Sequence, residues 1–141
     1  MGNEIIMSTK EQMIAEINSE NIFYTSLKSE TAEEKKKLFN AQNKADERLA
    51  DHINKTLAIK DVFVEIVDCV NEDTGEVSQA PRIVLIDDKG VSYACVSVGI
   101  FSALKKIFGI FGEPTTWEKP LKINVKQITK GKKQMLTFEV A

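Results

Sequence analysis

The stretch Ile59-Lys-Asp-Val-Phe-Val-Glu-Ile-Val-Asp-Cys-Val70 decides the fold of this 141-residue chain. It is rich in β-branched residues, and its apolar side chains alternate with polar ones, a pattern that predicts a β-strand. The apolar side changes partway, because Val62 and Val64 share one face whereas Val67 and Cys69 lie on the other. Such a strand is either bulged and strongly bent or buried on both sides.

The rest of the second half is predicted to add two strands, a helix and two further strands. Glycine-containing turns at 71–76 and 87–90 separate the first three strands. Apolar residues then recur at helical spacing, and Gly112 and Pro114 mark the end of that helix. The predicted elements are strands at Arg82–Ile86 and Val91–Val98, a helix at Ile100–Phe111, a strand from Leu121 to Lys126, and a last strand with Leu136, Phe138 and Val140 facing inward.

Five strands with a helix between the third and the fourth follow the order of an OB-fold, a partly open Greek-key barrel. We therefore predict a mainly β (α+β) domain at 31–141, built as a five-stranded OB-fold barrel and preceded by a helical N-terminal segment. A helix-capped five-stranded sheet of another topology is the alternative. The capping-box pattern Thr31-Ala-Glu-Glu34 predicts one helix start. Residues 1–30, with helical spacing between Ser8 and Asn18, are predicted to form an N-terminal arm or helix, either docked or mobile.

The composition is that of an ordinary globular protein, with 43% hydrophobic and 28% charged residues. No apolar run approaches the roughly 20 residues that a membrane span requires, so no membrane partner is expected. The first residues lack the basic lead and the apolar core of a signal peptide, which predicts a cytoplasmic protein.

The sequence lacks the patterns that carry catalysis or hold a metal. Cys69, Cys95 and His52 cannot form a zinc site at any usual spacing. Neither a glycine-rich phosphate loop nor a nucleophile elbow occurs. We therefore expect no cofactor and no enzymatic activity. Asp87 and Asp88 leave one rival open, a metal-dependent nuclease or hydrolase, although solvated turn residues explain both better.

Charge is unevenly spread along the chain, although the formal net charge is only −2. Residues 118–141 contain six lysines against two glutamates. A solvated lysine-rich face would give this pattern, and so would a track for a nucleic-acid backbone. The basic residues predicted to bind nucleic acid are Arg82, Lys122, Lys126, Lys130, Lys132 and Lys133. The acidity of the loop from Asn71 to Gln79 argues against this prediction.

Three aromatic residues are predicted to stack on bases, because single-strand binding needs flat side chains beside a basic track. Phe63 lies on the polar face of its strand, Tyr93 lies on the third strand, and Trp117 lies in the loop before the fourth. Each has a core alternative that the sequence leaves open. Phe63 could be buried between two layers, and Trp117 could plug the end of the barrel.

Six segments occur in a characteristic order along the chain. They read KLFNAQN (37–43), LADHINKT (49–56), NEDTGEV (71–77), APRIVLID (80–87), GIFSALKK (99–106) and GEP (112–114). From Lys37 onward the sequence thereby resembles the small single-stranded DNA-binding proteins of tailed bacteriophages, whereas residues 1–30 fall outside the resemblance. The resemblance implies an OB-fold that coats single strands during phage DNA replication or recombination, with little sequence preference, in the host cell cytoplasm.

The predicted function is therefore non-catalytic binding and protection of single-stranded DNA. Phage replication or recombination proteins are further expected partners, and the sequence leaves a homo-oligomer open. The alternative is a protein-interaction adapter on the same fold, which recruits such proteins and for which DNA is incidental. The nuclease or hydrolase ranks behind both.

Overall fold

The computed structural model describes residues 22–141, so the helix predicted between Ser8 and Asn18 lies outside the described residues. The elements are β1 (Ile22–Thr25), α1 (Ala32–Asn43), β2 (Glu47–Arg48), β3 (Thr56–Val70), β4 (Val77–Asp87), β5 (Ser92–Val96), α2 (Val98–Phe111), β6 (Leu121–Lys130) and β7 (Lys133–Val140), with short 3-10 helices at Leu49–His52 and Pro114–Thr116. The segment predicted as an arm or helix thus contributes a strand, β1.

The long strand β3 lies between β4 and β6, and a bulge interrupts its pairing with β4. Its first four residues pair with β6, whereas nearly all the rest pairs with β4. The register shifts between Ile59 and Asp61, so Lys60 is the extra residue. Ile59 and Val62 both enter the core, which leaves Lys60 and Asp61 on the opposite face. This bulge lies ahead of the face change between Ile66 and Val67, where the pairing of β3 with β4 is regular, so it does not produce that face change.

One curled, open sheet contains all seven described strands, in the order β2-β5-β4-β3-β6-β7, with β1 beside β3. Every pairing is antiparallel except that of β2 with β5. The mainly β class with helices is confirmed. A five-stranded barrel is not confirmed, because the sheet has seven strands and no pairing joins β7 to β5 or β2 within residues 22–141.

The two helices cover opposite faces of the sheet. Ile100, Leu104 and Ile107 of α2 join the main core, in which Val62, Val64, Ile83 and Leu85 represent β3 and β4. The residues that alternate with these, Phe63 and Val84, pack instead against Ala41 of α1. Residues 62–65 of β3 are therefore buried on both sides, which is the second of the two alternatives that the sequence left open.

The start of α1 and the end of α2 are those that the sequence predicts, whereas α2 begins at Val98, two residues before the predicted start. Thr31 and Glu34 make the reciprocal hydrogen bonds of a capping box at the start of α1. Ser97 caps α2 by accepting a hydrogen bond from the backbone N–H of Ile100, and Gly112 ends the helix with a φ of 80°. Over the part of the chain that is described, neither helix has the length and apolarity that would let it cross a membrane.

Candidate nucleic-acid interface

A cleft of about 510 Å³ opens over the bulge of β3. Its walls are the loop between β1 and α1, the first half of α1, and the loop that leads from α2 into β6. Four lysines from four separate segments line it, together with Trp117 and three acidic residues. The lysines are Lys28, Lys37, Lys60 and Lys119, and the acidic residues are Glu34, Asp61 and Glu118.

The bulge fixes the floor of this cleft. Lys60, the extra residue, is exposed. The Asp61 carboxylate accepts a hydrogen bond of 2.9 Å from the Ser26 hydroxyl, and Ser26 Oγ accepts one of 3.0 Å from the backbone N–H of Val62. One acidic side chain is thus partly engaged within the protein, while the neighbouring lysine stays available to an anion.

Trp117 has a fixed ring at the cleft wall. Its indole N–H lies 3.1 Å from the carbonyl oxygen of Phe111 and 3.0 Å from that of Gly112, to which it donates. The ring meets Phe108 edge-on at 6.5 Å between centroids. The side chain is half-buried and lines the cleft, so it both closes the end of α2 and offers part of its ring to a ligand.

Tyr24 extends the aromatic packing behind Trp117. Its ring meets Phe108 at 5.2 Å, and its buried hydroxyl has no hydrogen-bond partner among the described residues. Burial, with a smaller contribution from the nearby Glu113 carboxylate, raises the pKa of Tyr24 well above its ordinary range. Tyr24 therefore stays neutral and acts as an apolar support for the ring that supports Trp117.

Lys122 and Lys126 continue a basic surface from the cleft along β6. They alternate with Ile123 and Val125, which are core residues, and so lie on the same sheet face as Lys60. The Lys126 ammonium donates to Asn54 Oδ1 at 3.4 Å.

The β6–β7 turn lies farther from the cleft than the sequence pattern suggested. Lys132 and Lys133 are exposed there, roughly 30 Å along β6 at about 3.3 Å per residue. The backbone of Lys130 pairs with Lys133 at the end of this hairpin. Lys122 and Lys126 therefore lie toward the cleft, whereas Lys132 and Lys133 lie at the far end of the hairpin.

Arg82 is placed away from the cleft and is engaged within the protein. Its guanidinium donates to the carbonyl oxygen of Ala41 at 3.0 Å and to Glu65 Oε1 at 3.4 Å. Only 17% of the side chain is exposed. Arg82 thus joins the end of α1 to the sheet, and it is not brought together with the predicted lysines.

Phe63 and Tyr93 have little or no exposed ring surface in this structure. Phe63 is fully buried beneath α1, because β3 is covered on both sides where it lies. Tyr93 is 8% exposed, and its hydroxyl donates to Asp87 Oδ2 at 3.1 Å. Burial and the Asp87 carboxylate raise the pKa of Tyr93 to about 12. For both residues the core alternative is the one that their burial supports.

Asp87 organises a turn. Its Oδ1 accepts hydrogen bonds of 2.9 Å from the backbone N–H groups of Lys89 and Val91, and its Oδ2 accepts the one from Tyr93. Asp87 is buried, whereas Asp88 is exposed. In the described range, no three His, Cys, Asp or Glu side chains are grouped so that they could hold a metal ion.

The cleft lysines are the residues that sequence reasoning missed. Lys28, Lys37 and Lys60 lie in segments that share no sequence motif with one another, and Lys119 precedes β6. No local pattern indicated them, because the face change in β3 lies at Ile66 and Val67, whereas the bulge under the cleft lies at Lys60.

A family model described as phage single-stranded DNA-binding protein, of the phi29 type, matches residues 17–141. The match spans nearly the whole chain, and the chain therefore belongs to this family. Membership implies single-stranded DNA binding in phage replication, in a family that is non-catalytic. The match begins well before Lys37, so the expectation that all of residues 1–30 fall outside the family is wrong. No curated protein and no solved structure matches the chain.

Proposed function

We propose that this protein binds and protects single-stranded DNA in phage DNA replication or recombination, without catalysis and with little sequence preference. The observation that carries the proposal is the meeting of Lys28, Lys37, Lys60 and Lys119 around Trp117. Positive side chains that track a backbone, beside an aromatic ring on which bases stack, are what single-strand binding requires.

The proposed path of the strand starts in the cleft and continues over Lys122 and Lys126 on the same sheet face. Lysines contact phosphates, which are the same in every sequence. A tryptophan ring stacks on any base, with about 1–3 kcal/mol per base. Low sequence preference therefore follows from the residue types in the path.

An OB-like topology supports the proposal. The strands β5-β4-β3-β6-β7 are neighbours in that order, and α2 lies between β5 and β6 in the chain. OB-folds bind nucleic acid on the face of their second and third strands. Here α1 covers part of the matching face at Val84 and Ile86, so we place the binding surface in the adjoining cleft.

Binding of a labelled oligo-dT of about 30 nucleotides tests the proposal, because one OB-fold covers about 4–16 nucleotides. The variant Lys60→Ala/Lys119→Ala removes two cleft lysines and is expected to weaken binding by about tenfold. The matched control Lys35→Ala/Lys36→Ala removes two exposed lysines of α1 that do not line the cleft, and it should change the affinity little.

The fluorescence of Trp117, the sole tryptophan, reports on the cleft in the same titration. Quenching on binding is expected if bases stack near its ring. Equal effects of the two lysine pairs would remove the cleft from the proposal, and no binding by the unmodified protein would favour the adapter function.

A further inference from the structure

Among residues 22–141, the ends of β3 and β4 extend beyond the other strands as a two-stranded ribbon. Residues 66–70 pair only with 77–81, since β1 reaches no farther than Glu65 and β5 no farther than Arg82 in the described part of the chain. Val70 and Val77 face each other across the ribbon and are 62% and 63% exposed.

The ribbon carries charge of one sign. Between residues 66 and 81 there are four acidic side chains and no basic one, namely Asp68, Glu72, Asp73 and Glu76. All four are exposed. This charge repels a phosphate backbone and attracts a basic surface. A partner that binds the ribbon must also have an apolar surface against which the two valines can pack.

The same chain has such a surface on its β6–β7 hairpin. The part of this hairpin at 125–138 has no acidic residue and contains Lys126, Lys130, Lys132 and Lys133. Ile128 is 43% exposed and, with Met135, lines an apolar groove of about 480 Å³ against α2. The charges and the apolar surfaces of the two hairpins are thus complementary.

Within one molecule the two hairpins extend in opposite directions. Because β6 is antiparallel to β3 and Asn124 pairs with Thr56, the β6–β7 hairpin continues beyond the start of β3. The ribbon continues beyond its other end, up to about 45 Å away at 3.3 Å per residue. A contact between two different surfaces of identical chains that does not close into a ring generates an open row.

We propose that the acidic β3–β4 ribbon of one molecule docks on the basic β6–β7 hairpin of a second copy, so that successive copies line up head to tail on a single strand. Val70 and Val77 pack beside Ile128, and the acidic tip of the ribbon faces Lys132 and Lys133. The inference rests on the proposed single-strand binding and assigns these two lysines to the neighbouring protein.

Charge reversal on each partner tests the contact, with a short oligo-dT that accepts one molecule and a long one that accepts several. On the long strand, Glu72→Lys/Asp73→Lys and Lys132→Glu/Lys133→Glu should each lower the apparent affinity by about tenfold and abolish cooperativity. On the short strand the ribbon variant should bind like the unmodified protein. The control Asp51→Lys/Asp88→Lys reverses two exposed charges elsewhere and should keep cooperativity.

An equimolar mixture of the ribbon variant and the hairpin variant provides the decisive measurement. Each reversed surface then meets an opposite charge on the other variant, so cooperativity should return. Failure of the mixture to restore cooperativity overturns the proposal, and so does loss of short-strand binding by Lys132→Glu/Lys133→Glu. Failure of the unmodified protein to bind the short strand would instead overturn the proposed function.

Discussion

Arg82 and Glu65 form a largely buried ion pair between β4 and β3, directly opposite each other in the register. Burial raises the pKa of the Glu65 carboxyl, and the Arg82 guanidinium offsets part of that rise. A cation that hydrogen-bonds both a buried carboxylate and the end of α1 has a structural role. Its substitution should therefore affect stability and not DNA binding.

Arg82→Met is expected to lower the free energy of unfolding by about 2 kcal/mol at pH 8, because it leaves Glu65 buried and charged without a partner. Without Arg82 the pKa of Glu65 rises further, so the folded state binds a proton more readily than the unfolded one. The loss should therefore be smaller at pH 5 than at pH 8, as measured by urea unfolding.

The double variant Arg82→Met/Glu65→Gln is the control for this prediction, since it removes the buried charge as well. It should recover much of the lost free energy of unfolding, and the loss that remains should be the same at pH 5 and pH 8. If Arg82→Met unfolds like the unmodified protein but binds oligo-dT more weakly, then Arg82 belongs to the DNA interface and its proposed structural role is wrong.

At the scale of the elements, the position of α2 depends on the close approach of its first turn to β7. Gly99, in the first turn of α2, lies against the backbone of β7, where an added methyl group would overlap the carbonyl oxygen of Leu136. Gly109 lies in the same helix with open space around it. Substituting each glycine with alanine therefore distinguishes the effect of helix propensity from the effect of packing against β7.

Gly99→Ala should lower the free energy of unfolding by about 1–3 kcal/mol, because either α2 or β7 must shift. Gly109→Ala should leave stability unchanged or raise it by up to about 1 kcal/mol, because alanine favours the helix. Thermal unfolding followed by circular dichroism measures both. Equal effects of the two substitutions would show that the contact of α2 with β7 is unimportant for stability.

For the whole molecule, the arrangement of charge matters more than its sum. The net charge of −2 disfavours nucleic acid at long range, while the lysines of the cleft and of β6 form a local track. A single strand can lie in such a track, whereas a duplex brings a second charged backbone against the acidic remainder of the surface.

The affinity for oligo-dT should therefore fall with salt, with a slope of about −3 to −4 in a plot of log K against log salt, if four to six phosphates are contacted at about −0.7 each. Lys60→Ala should reduce the magnitude of that slope by about 0.7, and a duplex of equal length should bind more weakly. Fluorescence titrations at several salt concentrations measure the slope. A slope near zero would contradict a phosphate track.

Local patterns predicted most of the elements, because periodicity, capping and turn residues act between neighbours in the chain. The stripe from Ile100 to Phe111 became α2, Thr31 and Glu34 cap α1, and Gly75 and Gly90 have the positive φ of turns. The family match confirmed the resemblance that the six segments between residues 37 and 114 carry. The strand β1 was not predicted, because four residues without clear alternation carry too little signal.

The amino-acid sequence by itself determined the mainly β class, the order of the later elements and the family. Only the tertiary structure decided which side chains meet. Lys28, Lys37, Lys60 and Lys119 line one cleft because the bulge of β3 and the path of α1 bring distant segments together. Phe63 is buried for the same reason, since α1 covers its face of the sheet. Long-range pairing and helix packing determine such contacts, and neither is encoded in the spacing of neighbouring residues.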